Sequence, residues 1–579
     1  MSALISALDN FTPSQIGENG SREYTWSNNV RERILQLSFQ LTRVRDENTI
    51  NTLAEQTDKI LKELNGSYKA SIISHEEYLE YMSIMYRMIG HTRDIIDGKG
   101  EYSLSYMLLG VWHSHHPELA MFAFSLFVLP LPLEEGADKN LHPYGSWKDV
   151  KQLYKRNKSS SLALYGSHLL LNQLRTDSLS DNPSLAAKWV PREKSQFGDL
   201  FTELAMDYFC DYTASAKTEE ARKRAIIKAK MDFRKLISSL NKKLDTVQIK
   251  QCGLNWSEID PSKQTSITMH KQKKAFLNVK KNGEQRYDFD DRIACANKFK
   301  EFAQKAVKGE VEVKGKRVGL NDFTKEALEL IQRSQQTSAE ANILNAQWLD
   351  NSKQTGALGK MIAMVDVSGS MSGDPMNAAI ALGIRVAEKS MLGKRVLTFS
   401  ASPSWVNLTG QDTFVEMVQT VSRADWGMNT NFAAALKMIL DAIVSQKLKP
   451  EDVEDMVLAI FSDMQMDEAD SNSTYLMASI EAQYAEAGQR LWGKPFKAPH
   501  ILFWNLRSTS GFPSLSTQKN ASMMSGFSPA LLNLFCEEGL EALQSCTPWS
   551  LFIKSLDNER YKPLDQYIRK KLYKNSLNY

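Results

Sequence analysis

Three oxygen-bearing side chains lie within five residues of one another in the pattern D-x-S-x-S, formed by Asp366, Ser368 and Ser370. Carboxylate and hydroxyl oxygens at this spacing suit a hard cation, a phosphate group or a nucleophilic serine. The apolar run directly before them, MIAMV (361–365), is typical of a buried strand. The carboxyl end of that strand would deliver all three side chains into one tight turn.

The residues of this turn argue against two of the three chemistries. A serine-hydrolase elbow requires G-x-S-x-G, but Met371 occupies the central position between the neighbouring glycines. A phosphatase with an aspartyl nucleophile would usually carry a second aspartate where this chain has Ser368. A simpler alternative to any ligand is that Ser368 and Ser370 cap the helix that follows.

A divalent cation makes a further demand, because Mg²⁺ needs about six oxygen ligands in a near-octahedral array. Thr430 lies just before a helical stretch, in DWGMNTNFAAAL, and Asp463 follows an apolar strand, in LAIFSDMQM. We expect Asp366, Ser368, Ser370, Thr430 and Asp463 to converge at one edge of a sheet and to bind Mg²⁺ or Mn²⁺. Water molecules or an acidic group of a partner would complete the coordination shell.

The elements that must position these residues alternate between strands and helices. Strands are predicted at 361–365, 394–400, 456–462, 500–506 and, more weakly, 521–525. Helical stretches are predicted at 375–391, 413–422, 432–447, 473–487 and 529–544. This alternation predicts a doubly wound α/β domain, in which a parallel sheet is covered on both faces. Ligands bind such sheets outside the carboxyl ends of the strands, where Asp366 would lie.

The N-terminal part of the chain has a different pattern. From about residue 25 to 345, apolar residues recur at three- and four-residue spacing, which predicts successive helices. We infer an all-α, HEAT-like helical-repeat domain from this pattern, without a strict sequence repeat to mark its period. The predicted multi-domain organisation is an N-terminal arm (1–24), an α-helical repeat domain (25–348), a polar linker (349–360) and an α/β domain (361–579).

Length and composition limit the classes of protein. A chain of 579 residues is too long for one hydrophobic core. It has no uncharged apolar run of about 18 residues, so no membrane span is expected, and its start does not resemble a signal peptide. The five cysteines lie far apart and match no C-x-x-C zinc pattern, which favours free thiols in a reducing compartment. We expect a cytoplasmic, intracellular protein, or a virion component if the source is a virus.

The order of the candidate ligands resembles that of a known domain family. D-x-S-x-S followed by a threonine and then an aspartate after successive strands is similar to a von Willebrand factor type A domain with its metal-ion-dependent adhesion site. The matching residues are Asp366, Ser368, Ser370, Thr430 and Asp463. This resemblance implies that the site binds partners through its ion and catalyses no reaction.

A helical domain followed by such a domain resembles the Ro autoantigen (TROVE) family of RNA-binding proteins. In that family the helical repeats form a ring that takes RNA, and the type A domain closes the ring. The chain looks closer still to an uncharacterised family of unknown function found in eukaryotes and large DNA viruses. The stretches that carry this second resemblance are RDIIDGKGE (93–101), YGSWKDVKQL (144–153), KWVPREKSQFG (188–198), MHKQKKAFLN (269–278), FWNL (503–506) and SGFSPALL (525–532).

Positive charge is concentrated in the middle of the chain. Residues 201–320 carry 26 Lys and Arg against 16 Asp and Glu, a net charge of +10, whereas residues 359–579 carry 21 against 23. Such a region favours an acidic partner. The side chains expected to neutralise RNA phosphates without reading the base sequence are Arg222, Lys223, Arg224, Lys230, Arg234, Lys271, Lys273 and Lys274. Any one charged stretch is equally compatible with an ordinary solvated face.

Two functional hypotheses from different classes follow. The first is a non-catalytic, RNA-binding, Ro-like ribonucleoprotein component with a divalent-ion adhesion site. The alternative is an interaction or assembly scaffold that binds an acidic residue of a partner protein through the ion. A metal-dependent hydrolase fits worst, because no general base stands out beside the site. The basic middle region favours RNA over the scaffold.

Overall fold

The computed structural model describes residues 13–17, 20, 22–132, 141–158, 160–399, 402–424, 432–465, 476–536 and 545–576. It contains a helical N-terminal part and a C-terminal six-stranded sheet flanked by helices. The predicted combination of a helical region with an α/β region is confirmed at this level. Of the predicted arm, β1 (Ser14–Ile16) and β2 (Arg22–Tyr24) form a short antiparallel pair, and Tyr24 bridges to Phe512 beside the sheet.

Local sequence signals place the N-terminal helices. At Ser74, for example, the hydroxyl accepts a hydrogen bond from the Glu77 backbone amide while the Glu77 carboxylate accepts one from the Ser74 amide, a reciprocal cap. The helices before the sheet are α1 (Val30–Gln40), α2 (Glu47–Lys69), α3 (His75–Arg93), α4 (Tyr102–His115), α5 (Pro117–Val128), α6 (Lys148–Arg156), α7 (Ser161–Ser178), α8 (Ala186–Trp189), α9 (Gly198–Tyr208), α10 (Cys210–Ala214), α11 (Glu219–Lys243), α12 (Val247–Cys252), α13 (Ser266–Phe276), α14 (Asp290–Val307), α15 (Leu320–Gln332) and α16 (Ala339–Ser352).

The sheet contains all five predicted strands and one more. Its strands are β3 (Met361–Asp366), β4 (Arg395–Phe399), β5 (Ser404–Asn407), β6 (Val457–Ser462), β7 (His500–Asn505) and β8 (Ala521–Ser525). They lie in the order β5-β4-β3-β6-β7-β8, and every neighbouring pair is parallel except β4 and β5. The unpredicted β5 is a short edge strand, which can form from a weak pattern because only one side of it must pair.

Helices cover both faces of the sheet, and β3 shows why its sequence is continuously apolar. Met361, Ala363 and Val365 lie in one hydrophobic core, whereas Ile362 and Met364 lie in the core on the opposite face. The helices after β3 are α17 (Asp374–Lys389), α18 (Phe414–Val421), α19 (Phe432–Ser445), α20 (Pro450–Val453), α21 (Leu476–Trp492), α22 (Pro548–Leu556) and α23 (Lys562–Ser576). Within the stretch predicted helical at 529–544, Pro529–Phe535 form a 3-10 helix, and 537–544 lie outside the described residues.

The last two helices pack with the N-terminal part, although they follow the sheet in sequence. Leu556, Leu564 and Ile568 are buried in the same core as the helices α1 to α7. Arg560, in the turn between α22 and α23, makes two hydrogen bonds to the buried carboxylate of Asp94, at 2.6 and 2.7 Å. The predicted domain limits at 25–348 and 361–579 therefore agree with the order of helices and strands along the chain. They do not agree with the hydrophobic cores, because the last two helices share a core with the N-terminal part.

The predicted linker 349–360 is also largely packed. Its first residues complete helix α16, and Asn351 and Thr355 are buried. The guanidinium of the buried Arg385 donates hydrogen bonds to the Asn351 carbonyl and side chain, at 3.3 and 2.9 Å, and to the Thr355 hydroxyl at 3.2 Å. The same guanidinium lies over the Trp348 ring, 4.4 Å from its centroid. These contacts hold the connection against helix α17, so it does not behave as a free polar link.

Lys99, in the DGKGE stretch, ties the helical part to the sheet. Its buried ammonium donates hydrogen bonds to the carbonyls of Ser38 and Leu41, at 2.6 and 3.0 Å, and to the hydroxyl of Ser525 at 2.7 Å. Burial lowers the pKa of Lys99 to about 7. The preceding Gly98 is required by packing, because a Cβ there would lie 2.2 Å from the His91 carbonyl oxygen. This lysine therefore joins the two parts of the molecule.

Candidate functional site

Asp366 ends strand β3 at the carboxyl edge of the sheet and is completely buried. Its Oδ1 accepts a hydrogen bond from the Ser368 backbone amide at 2.9 Å, and its Oδ2 accepts one from the Ser462 hydroxyl at 2.6 Å. Burial raises the pKa of Asp366 to about 6, and the negative charge of Asp463 acts in the same direction while the hydrogen bonds from Ser462 and Ser368 oppose it. The carboxylate is thus held in a fixed orientation in a poorly solvated position.

Ser368 and Ser370 lie in the turn that leaves β3, where Gly369–Met371 form a single 3-10 turn. Their hydroxyl oxygens are 3.1 Å apart. In the described part of the chain neither hydroxyl caps the next helix, because α17 begins at Asp374 after Gly373 and has no side-chain cap. Gly373 has φ +95°, a left-handed conformation that favours glycine. The capping alternative therefore does not explain the two serines.

Asp463 directly follows β6, the strand that pairs in parallel with β3. The register sets Val365 opposite Phe461, so the ends of the two strands lie side by side. Asp463 is completely buried, and its Oδ1 accepts a hydrogen bond from the Gln465 amide at 3.2 Å. The structure therefore brings together four of the five predicted ligand residues, whereas Thr430 lies outside the described residues.

Two further side chains in this site were not predicted from the sequence. Ser462 precedes Asp463 and binds Asp366 directly. Arg507 follows β7, and its Nη1 donates a hydrogen bond to Asp463 Oδ2 at 3.1 Å and lies 3.5 Å from the carbonyl oxygen of Ser370. The sequence did contain a signal for both residues. In IFSD (460–463) and in FWNLR (503–507), polar residues follow the apolar run of a central strand, where ligands of such sheets bind.

The donor set suits a hard divalent cation. Two carboxylates and hydroxyl oxygens are the ligands that Mg²⁺ and Mn²⁺ accept, and each carboxylate oxygen keeps a lone pair beyond its present hydrogen bond. Among the described residues there is no cluster of three or more His, Cys, Asp or Glu side chains that could hold a metal. An ion here would depend on serine hydroxyls and water as much as on Asp366 and Asp463.

The guanidinium of Arg507 is hydrogen-bonded to Asp463, the second carboxylate that a bound ion would use. We expect Arg507→Gln to raise the affinity for Mn²⁺ about tenfold, because Asp463 then loses a charge-assisted hydrogen bond that a metal must displace. Isothermal titration calorimetry measures this affinity directly. Arg490→Gln, at an exposed position in the last turn of α21, is the matched control and should leave it unchanged. Equal affinities in the Arg507 variant and the wild type would mean that the arginine does not compete for Asp463.

The predicted RNA contacts on helix α11 divide into two groups. Lys230 and Arg234 both pair with Glu193, and Lys223 pairs with Glu219 one turn earlier. Arg222 and Arg224 are exposed, and the described residues include no acidic partner for either. Among the predicted RNA contacts on α11, these two arginines are therefore the most available to an anionic ligand.

On helix α13 the structure corrects one prediction. Lys273 is 1% exposed and its ammonium lies 2.5 Å from the carboxylate of Glu326, so a phosphate group has no access to it. Lys274 lies between Glu329 and Glu340, at 3.8 and 3.3 Å. Lys271 is exposed. The sequence pattern could not distinguish these lysines because all three lie within one helical turn.

No described helix combines the length and the apolar character needed to span a membrane.

Comparison with known proteins places the chain in a family. Residues 360–565 match the domain of unknown function DUF7788. The uncharacterized protein L728 of Acanthamoeba polyphaga mimivirus is 30% identical over 417 residues, which cover 67% of this chain and 67% of the viral protein. The expected kinship with an uncharacterised family that includes viral members is confirmed. On this similarity, the chain belongs to the family of the mimivirus protein L728.

Proposed function

We propose that the protein is a non-catalytic RNA-binding protein of the Ro-like type, whose sheet region is a von Willebrand factor type A-like domain with a divalent-ion site. Asp366, Ser368, Ser370 and Asp463 would hold Mg²⁺ or Mn²⁺, with Thr430 as the fifth predicted ligand. A bound ion would supply an open coordination position for an acidic group of a partner. The convergence of these side chains at two adjacent strand ends supports the domain assignment.

The surroundings of the two serines support a binding role over a catalytic one. Within the described residues, neither the Ser368 nor the Ser370 hydroxyl is hydrogen-bonded to a histidine or lysine that could accept its proton. A serine nucleophile needs such a base to become reactive. The hydroxyls would instead serve as neutral oxygen ligands beside the two carboxylates.

The observation that carries the RNA proposal is the unbalanced positive charge of the helical part. Residues 201–320 have a net charge of +10, and Arg222 and Arg224 lie exposed on α11 without an acidic partner among the described residues. Unpaired arginines on an exposed helix can neutralise phosphates at little desolvation cost. The acid-paired cations of the same helix contribute less, since a phosphate must compete with their carboxylates.

The test is a salt titration of binding to a labelled 20-nucleotide poly(U) strand, followed by fluorescence anisotropy. We expect affinity to fall steeply with salt, with a log–log slope of about −0.7 for each phosphate contact. Arg222→Glu with Arg224→Glu should weaken binding about tenfold and equally for different base sequences, since backbone contacts carry no base information.

The matched control reverses two exposed lysines of the sheet region, Lys494→Glu with Lys519→Glu, and changes the net charge equally. It should bind RNA as the wild type does. Salt-independent binding, or no binding at micromolar protein, would reject the RNA proposal.

The alternative is a scaffold function, in which the bound ion coordinates an acidic residue of a protein partner. Arg507, with its side chain 40% exposed at the candidate ion site, favours this reading because a guanidinium there could also meet an incoming carboxylate. The scaffold hypothesis would be supported if the protein showed no affinity for RNA and bound an acidic peptide only in the presence of Mn²⁺.

A further inference from the structure

Three lysines form a cluster in the helical part: Lys271, which is one of the predicted RNA contacts, and Lys148 and Lys151, which are not. Lys148 and Lys151 lie one turn apart on helix α6, and both are half-buried. Lys271, exposed on helix α13, is close enough that its charge acts on Lys148. Helices more than a hundred residues apart in sequence thus bring positive charges together.

Aromatic rings hold two of these ammonium groups in place. Lys148 Nζ lies 5.4 Å from the centroid of the Tyr102 ring, and Lys151 Nζ lies 5.1 Å from that of Trp189. The centroid of the Phe197 ring lies 5.8 Å from the same Lys151 Nζ. Such cation–π contacts orient a lysine without neutralising its charge.

The carboxylate of Asp149, which is adjacent to Lys148 in sequence, is already engaged. Asp149 accepts two hydrogen bonds from Arg93, at 2.7 and 2.8 Å, and others from the Tyr106 hydroxyl and the Ser146 amide. Within the described residues no Asp or Glu forms an ion pair with any of the three clustered lysines. The positive charge of the cluster is therefore unbalanced, although half-buried cations usually have a partner.

The electrostatic consequence is mutual repulsion. Burial lowers the pKa of Lys148, and the charge of Lys271 lowers it further; burial and then the charge of Lys148 lower the pKa of Lys151. A bound anion would relieve this repulsion.

We infer that Lys148, Lys151 and Lys271 form a binding site for the phosphate groups of single-stranded RNA. This inference rests on the proposed function and assigns a specific site to it. The aromatic side chains favour a nucleic acid over an acidic protein, because Tyr102 is 48% exposed and offers a base an edge or face beside the lysines. Ordered ammonium groups beside rings can bind backbone and bases together.

The experiment compares Lys148→Gln/Lys151→Gln/Lys271→Gln with the wild type, using the labelled poly(U) 20-mer between 50 and 300 mM NaCl. We expect at least a ~tenfold loss of affinity and a log–log salt slope that is shallower by about 2, from three contacts of about 0.7 each. The control is Lys298→Gln/Lys300→Gln/Lys308→Gln, at exposed lysines in and just after helix α14, and should bind normally.

A second variant separates binding from folding. Lys148→Arg/Lys151→Arg/Lys271→Arg keeps the charges and the ring contacts, so it should retain RNA affinity and salt slope. If the wild type binds RNA and the glutamine variant binds equally well, the inferred site is wrong while the proposed function stands. If the wild type does not bind RNA, the proposed RNA-binding function is rejected, and the inferred site is rejected with it. A poly-glutamate peptide that displaces RNA as effectively as unlabelled poly(U) would also overturn the inference, since the site would then accept acidic protein.

Discussion

Replacing Asp366 by asparagine is expected to abolish binding of Mg²⁺ and Mn²⁺. Asp366 is the central carboxylate of the site and is completely buried, so no other group can move into its place. A neutral amide is a much weaker ligand for a hard dication than a carboxylate. The fold should persist, because the amide oxygen can accept from the Ser368 amide and the amide nitrogen can donate to the Ser462 hydroxyl.

The measurement combines calorimetry with thermal unfolding. A ligand at 100 times its dissociation constant stabilises the native state by about 2.7 kcal/mol, so Mn²⁺ should raise the melting temperature of the wild type and not that of Asp366→Asn. Asp374→Asn, in the first turn of α17, is the control and should keep the metal response. An unchanged ion affinity in Asp366→Asn would show that the metal site has been misassigned. RNA affinity should survive this substitution, since the predicted phosphate contacts lie on the helical part.

Replacing Arg560 by methionine is expected to destabilise the protein by about 3–5 kcal/mol, the usual cost of removing one partner of a buried ion pair. Asp94 has no exposed surface and would lose both hydrogen bonds from the guanidinium. The His142 carbonyl would also lose its donor. Because this pair joins the turn before α23 to the end of α3, the last helices should detach from the helical core.

Urea denaturation followed by far-ultraviolet circular dichroism measures this loss. Arg569→Met removes an arginine that pairs with Asp565 one turn away on α23, and should cost less than about 1 kcal/mol because that pair is solvated. Asp94→Asn combined with Arg560→Met should recover part of the loss, since no buried charge then lacks a partner. Equal stabilities of Arg560→Met and Arg569→Met would mean that the C-terminal helices do not depend on this contact.

The sequence by itself determined five of the six strands of the sheet, most of the helices and the strand-end position of the candidate ligands. Strand β3 was predictable because a strand buried on both faces must be apolar throughout. Asp366 and Asp463 were predictable as neighbours because the ends of parallel strands meet at one edge of a sheet. These features depend on local patterns and on general rules of sheet topology.

Only the tertiary structure decided which surfaces meet. Periodicity shows that α23 has an apolar face but not that it packs beside α3, and it cannot tell the buried Lys273 from the exposed Lys271 two residues earlier. The Arg507 contact with Asp463 and the closeness of Lys148 to Lys271 join elements that are distant along the chain. The physical reason is that a charged side chain has the same local pattern whether water, a carboxylate or another cation lies beside it, and long-range packing alone selects among these.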